Sequence, residues 1–196
     1  MDVEGKLLSV KEFYTLKENV HYHTINHIRE MLNNMINYES EIDKYYPSIN
    51  KNLLIDIILW HDAGYVPGDK ENEYEAAALY MKNNNNYNLT VVDAIISTIP
   101  FSKQYDSDYN KLIHDLDWFG FSDYNLMVKN DILIRNEYPE IDDKTFWTNK
   151  VKFLNHMLGI YGNSLYMSDV FKHLNENAYD NIQKRIEEIK YGMDIM

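Results

Sequence analysis

Cysteine is absent from the 196 residues. Disulfides are therefore excluded, and any bound metal must take nitrogen and oxygen ligands. Proline and glycine are scarce, four and seven residues respectively, so there are few forced breaks between regular elements. Basic residues are also in deficit: 19 Lys and Arg stand against 31 Asp and Glu, a formal net charge of −12. Such a surface repels duplex nucleic acid, which is not an expected partner, although a local basic pocket can still take a small anion. No apolar run approaches bilayer length, so no membrane is expected. Met1-Asp2-Val3-Glu4-Gly5-Lys6 lacks a basic-then-apolar leader pattern, and a cytoplasmic protein is expected. A glycine-rich phosphate loop is missing, which argues against a nucleoside triphosphate held in the Walker manner. No nucleophile-elbow pattern is present either.

The pattern that remains is helical. Hydrophobic residues make up 45% of the chain, enough for a real core. Ile25, Ile28, Leu32, Met35 and Ile36 share helical spacing within a segment from Val20 to about Tyr38. Ser48 is read as the cap of a helix from about Ile49 to Asp62. Further helices are expected over 71–81, 89–99, 110–118, 122–138, 142–158 and 168–190. Gly64, Pro67-Gly68, Pro100, Gly120, Pro139 and Gly159 punctuate them, and Asn83-Asn84-Asn85-Asn86 reads as a loop tip. Period-two alternation is scarce. The expected fold is all-α: one helical bundle over residues 1–196, its core about 20–120 and its C-terminal helices about 122–191.

Chemistry concentrates at His61-Asp62. The pair ends the apolar run Leu53-Leu54-Ile55-Asp56-Ile57-Ile58-Leu59-Trp60, where two strongly polar residues are costly unless something binds them. His27 lies upstream and Asp117 downstream. Imidazole and carboxylate together suit Mn, Fe, Ni, Co or Zn. Neighbours on one helix diverge by roughly 100°, so His61 and Asp62 can meet one ion only near a helix end, and Gly64 just after them suits that. His23 and His27, four apart, are expected on one helix face. Asp115 and Asp117 both qualify as the late acid, with one of the two expected to be exposed. His21 is expected to be exposed. Lys70, Arg135 and Lys150 are the cations considered for substrate phosphate, Arg135 first because a planar fork suits phosphate oxygens.

These residues resemble motifs of the HD superfamily of metal-dependent phosphohydrolases, in one small branch of it. Tyr22-His23-Thr24-Ile25-Asn26-His27-Ile28 resembles its tyrosine–histidine opening. Trp60-His61-Asp62-Ala63-Gly64-Tyr65 resembles its central motif, Asn72-Glu73-Tyr74-Glu75-Ala76-Ala77 the following segment, and Asp115-Leu116-Asp117-Trp118-Phe119-Gly120 the late aspartate motif. Ile134-Arg135-Asn136-Glu137-Tyr138 and Ala178-Tyr179-Asp180-Asn181-Ile182 are similar to segments of the same branch. The resemblance implies an HD-type helical bundle with His27, His61, Asp62 and Asp117 as metal ligands. Its motif register favours Asp117 over Asp115, with His114 and Asp115 behind it. It implies hydrolysis of a nucleotide or other small phosphate ester by metal-activated water, the ion being Mn, Co, Ni, Fe, Mg or Zn. Asp62 then takes part in catalysis as well. Glu73 is the candidate base, and His23 a phosphate contact, a proton donor or a partner of a ligand. Two departures stand out: Ala63-Gly64-Tyr65-Val66 lacks a glutamate that several relatives carry, and Val20 stands where an arginine is expected. They keep open a non-catalytic metal-bound regulatory module. A di-iron oxygenase of the same type, using His23 or Glu73 for a second metal, is the other alternative.

Overall fold

In a computed structural model the chain is all-helical, with no strand among the described residues 3–14, 19–102 and 105–194. Met1 and Asp2, at the head of the segment read for a leader, lie outside that set. Among the described residues ten α-helices follow in order: α1 Val3–Val10, α2 Ile25–Asn37, α3 Glu39–Tyr45, α4 Lys51–Trp60, α5 Asn72–Asn83, α6 Leu89–Ser97, α7 Asp108–Asp117, α8 Tyr124–Asn136, α9 Asp143–Tyr161 and α10 Asn175–Asp194. A 3₁₀ turn, Trp118–Ser122, continues directly from α7. Their apolar faces share one core.

Side-chain caps set many of the boundaries. Thr24, Asn50, Asn88, Ser107, Asp123 and Asp142 each accept a backbone N–H from the first turn of the helix they precede. Each such cap contributes on the order of 1 kcal/mol. They also correct the expected starts. Thr24 opens α2, so Val20–His23 lie outside the helix. Asn50 opens α4 in place of Ser48, and Asp123 opens α8 in place of Ser122. At the other end of α5, the Asn83 and Asn84 side chains donate to the Leu79 and Tyr80 carbonyls, which carries the helix past Met81. The short helices α1 and α3 carry little periodicity of their own and are additions to the expected set.

α4 is the pivot. Leu54, Ile55, Ile57, Ile58, Leu59 and Trp60 are all buried, as expected of a helix apolar on nearly every side. It packs against α1, α2, α5, α6 and α7. Burying one such side chain stabilises the fold by roughly 1.5–3 kcal/mol before entropy is counted. The turn after α4 needs Gly64 twice over. Its φ is +78°, and a Cβ there would stand 2.7 Å from Leu79 Cδ1. α8 and α10 close over the 3₁₀ turn 118–122, and α9 packs along α10. No helix among the described residues is long and apolar enough to cross a membrane.

Candidate metal centre and its cleft

Three ends of helices meet beneath this packing. His27 belongs to the first turn of α2 and lies on its buried face with Ile28, Met31 and Leu32. His61 and Asp62 follow the last residue of α4, where the chain leaves helical geometry and the two side chains can converge. Asp117 is the last residue of α7. His27 Nε2 stands 3.0 Å from Asp117 Oδ1 and 3.7 Å from Asp62 Oδ2. His61 Nε2 stands 3.1 Å from Asp62 Oδ2 and 3.7 Å from Asp117 Oδ1. Donor atoms of His27, His61 and Asp117 all lie within 4.8 Å of one another, the one such group among the described residues. The C-terminal ends of α4 and α7 both point here, adding partial negative charge that favours a cation.

The donor set fits a metal. His61 Nδ1–H donates to the Ile58 carbonyl at 3.0 Å, and a carbonyl can only accept. In the neutral ring this leaves Nε2 with a lone pair facing the carboxylates. His61 Nε2 and Asp62 Oδ2 are buried, and neither has an aligned hydrogen-bond partner. Two acceptors turned toward each other in a dry site require a proton or a cation between them. Burial resists protonation of His61, but Asp62 and Asp117 outweigh it and hold the imidazole well above its ordinary value. Burial likewise works against ionised Asp62 and Asp117, and the histidines outweigh it, so both carboxyls sit below their ordinary range. Charge pulled this strongly toward one point suits a divalent ion with nitrogen and oxygen ligands.

His23 takes a place the helical spacing does not give. It precedes the Thr24 cap, so it does not share a helix face with His27. Its Nδ1–H donates to Glu137 Oε2 at 2.7 Å, and its ring stacks on Tyr65 with centroids 3.7 Å apart. Glu137 is 1% exposed. Its other oxygen accepts the backbone N–H groups of His21, Tyr22 and His23 at 2.9, 2.6 and 3.0 Å. Burial raises the Glu137 carboxyl, but these donors outweigh it and hold it low. One buried carboxylate at the end of α8 thus fixes both the loop before α2 and the orientation of His23. Burial opposes a charge on His23, yet Glu137, Asp62 and Asp117 raise its affinity for a proton. His21 is exposed, as expected.

The centre opens into a cleft of about 450 Å³, within the range of small-molecule sites. Asp117 and His23 lie on its floor and rim, and Tyr65, Trp118, Phe121, Tyr138, Phe146 and Phe153 supply aromatic wall. Lys150 reaches the same cleft, its Nζ 2.6 Å from Asp131 Oδ1. Arg185 holds the other oxygen of Asp131 at 2.8 Å. Glu73, in the first turn of α5, is half-buried. Burial raises its carboxyl, and the nearby Asp62 and Asp117 raise it further.

Three expected roles are corrected. Arg135 is drawn into its own corner of the fold: Nε donates to Asp143 at 2.7 Å, and Nη1 and Nη2 donate to the Tyr138 and Ile141 carbonyls at 2.7 Å each. The fork that suits phosphate is spent on the turn between α8 and α9. Lys70 is exposed in the turn before α5 and does not line the cleft. One of Asp115 and Asp117 is expected to be exposed, but Asp117 is half-buried and Asp115 is 0% exposed. It accepts the Met167 and Ser168 N–H groups at 2.8 and 2.7 Å, and burial pushes its carboxyl up to about 7 against those donors. His114, beside it, donates from Nε2 to the Leu165 carbonyl at 3.1 Å. Both residues pin the segment after α9 and touch no donor of the metal centre. Glu137 and Asp131 were missing from the expected site. An acid among apolar neighbours on a helix is the signal that marks them. Comparison with protein-family models, curated proteins and solved structures found no match to this chain.

Proposed function

We propose that the protein is a metal-dependent hydrolase of a small phosphate ester, nucleotides included. One observation carries the reading: two imidazoles and two carboxylates from three helix ends stand 3.0–3.7 Å apart in histidine–aspartate pairs, and Asp117 carries the group to an aromatic cleft. The resemblance of their sequence contexts to the HD superfamily supports the same chemistry. His27, His61, Asp62 and Asp117 would hold one divalent ion, among Mn, Co, Ni, Fe, Mg and Zn. Such an ion makes water a nucleophile near neutral pH and polarises a phosphoryl oxygen. Glu73, its carboxyl raised by burial and by the nearby Asp62 and Asp117, would accept the proton that the water gives up. His23, held by Glu137 at the rim, faces the departing alcohol and supplies a proton to it. Lys150 meets the phosphoryl oxygens from the opposite wall.

The deciding experiment joins elemental analysis of the purified protein to a phosphatase and nucleotidase panel with Mn, Co, Ni and Mg. About one divalent ion per chain and turnover of a phosphate ester are expected. Two irons per chain with oxygen consumption would replace this reading by an oxygenase. Bound metal without turnover of any ester would leave a metal-bound binding module.

A further inference from the structure

We infer that the ligand of the cleft carries a single terminal phosphoryl group on a flat, largely apolar body: a phosphomonoester, and neither a diester nor a nucleoside triphosphate. The reaction rests on the hydrolase reading above; the ligand class rests on the cleft itself.

The cleft has two compartments. Beside Asp117 lies a small inner cavity of about 60 Å³, reaching from Tyr22 and Gly120 to Asn130, Asp131 and Lys150. That is room for only a handful of water-sized groups, enough for one tetrahedral phosphoryl group. A donor with unspent capacity lines it: the ammonium of Lys150 has two N–H groups beyond its bond to Asp131. The outer compartment, about 450 Å³, is different in kind. Its wall is aromatic, and Lys150 is the one Lys or Arg among its described lining residues. Rings of this kind stack on a planar partner and offer nothing to a chain of phosphates.

Charge weighs against a triphosphate. Asp62 and Asp117 balance a divalent ion. Asp131 lies between Lys150 and Arg185, and Glu188 stands 3.6 Å from Arg185, so these groups offset one another. A phosphomonoester carries about −1.5 to −2 near neutral pH, and the Lys150 ammonium offsets part of it. A triphosphate would bury several negative charges against apolar rings without counter-charge, which is costly. A diester has a second organic arm on phosphorus, and the inner cavity has no room for one.

Phosphonate ligands test this on the metal-loaded protein by calorimetry, with any ester among them checked for cleavage of its P–O bond. Benzylphosphonate should bind. Its monoethyl ester, a diester mimic, and ethylphosphonate, which lacks the ring, should each bind about tenfold or more weakly. Lys150→Gln should weaken benzylphosphonate by about tenfold, the size of one charge-assisted contact, and Lys150→Arg should recover most of it. The arginine variant keeps the charge on Asp131 and reports on the cavity even if the glutamine variant fails to fold. In turnover, 4-nitrophenyl phosphate should outpace its bis ester, and a nucleoside monophosphate its triphosphate at excess metal. Equal binding of the monoethyl ester, no binding of benzylphosphonate, or indifference to both Lys150 changes overturns the inference. Absence of turnover with the expected ranking of ligands overturns the hydrolase reading and leaves the ligand class standing.

Discussion

Two buried ionic clusters lie on either side of the same cleft and are built on opposite principles. In one, each oxygen of Asp131 has its own cation, Lys150 at 2.6 Å and Arg185 at 2.8 Å, and the carboxylate is 2% exposed. In the other, two carboxylates and two imidazoles crowd together at 3.0–3.7 Å, and His61 Nε2 and Asp62 Oδ2 stay without aligned partners. The first cluster gives each carboxylate oxygen a cation and joins α8, α9 and α10, with Lys150 keeping donors for the cleft. The second could be completed by a proton on His61 or by a metal ion. Burial alone therefore does not mark a functional site. Burial with unmet hydrogen-bonding capacity does.

The largest expected effect removes that capacity. Asp117→Ala takes away the carboxylate that faces both histidines. Metal content should fall to background, with complete loss of hydrolysis, while Asp115→Ala keeps its metal because Asp115 bonds only the 167–168 backbone. Elemental analysis of the two variants reads this directly. The reverse pattern, metal kept in Asp117→Ala and lost in Asp115→Ala, would mean that the late ligand is the other acid.

Asp131→Ala comes next, with its effect on stability instead of metal. Removing one member of a buried ionic cluster costs about 3–5 kcal/mol, because the remaining charges stay buried without a partner. Lys150 and Arg185 keep partial access to water, which favours the lower figure. At this chain length about 3 kcal/mol lowers Tm by roughly 6–12 °C. Metal stoichiometry should stay unchanged. Loss of metal together with stability would show that the two clusters are one cooperative unit, and the contrast between them would fail.

A third effect separates the clusters by pH. In metal-free protein His61 is held above its ordinary value of 6.5. Its stabilising contribution is therefore full below about pH 6.5 and is lost as pH rises through the elevated value. Asp62 and Asp117, held low, contribute above their ordinary 3.8 and lose that contribution only as pH falls through their depressed values. A metal needs the imidazoles unprotonated, so its own contribution grows as pH rises. At a hundredfold excess over Kd it adds roughly 2.7 kcal/mol. The Tm gap between loaded and chelator-stripped protein should thus widen from pH 6 to pH 8.5. Parallel curves would remove His61 from the ligand set.

The same contrast accounts for what could be read from the sequence. The longer helices were legible from apolar spacing, as at Ile28, Leu32 and Met35 of α2, and α4 as a nearly unbroken apolar run, whereas the short α1 and α3 show neither. His61-Asp62 was legible because a histidine–aspartate pair closing an apolar run is too costly to bury unless a ligand or counter-charge meets it, whereas His27 and Asp117 were picked out by the resemblance to the HD superfamily. His23 was misplaced because α2 starts later than expected: Thr24 caps it and the helix runs from Ile25, not from Val20. Arg135 was read by chemical type and Glu137 was given no role, and their partners are loop carbonyls and loop N–H groups that no spacing rule locates. Asp131 escaped because its partners, Lys150 and Arg185, come from α9 and α10, 19 and 54 residues away.

The smallest expected effect asks whether distance or burial sets the value of an ion pair here. Lys6 and Asp56 join α1 to α4 at 2.6 Å, the same separation as Lys150 and Asp131. Their side chains keep 35% and 26% exposure, against 11% and 2% for the inner pair. Water screens the outer pair and solvates either partner left alone, so it is worth about 0–1 kcal/mol. Lys6→Met retains the stem that packs along the helix and removes only the charge. Its Tm should move by no more than roughly 2–4 °C, and 1 M salt, which shortens screening to about 3 Å, should erase most of that difference. The Asp131→Ala loss should persist in the same salt, because ions do not enter the space between α8, α9 and α10. A Lys6→Met loss as large as that of Asp131→Ala would make proximity the governing variable and cancel the distinction between the two clusters.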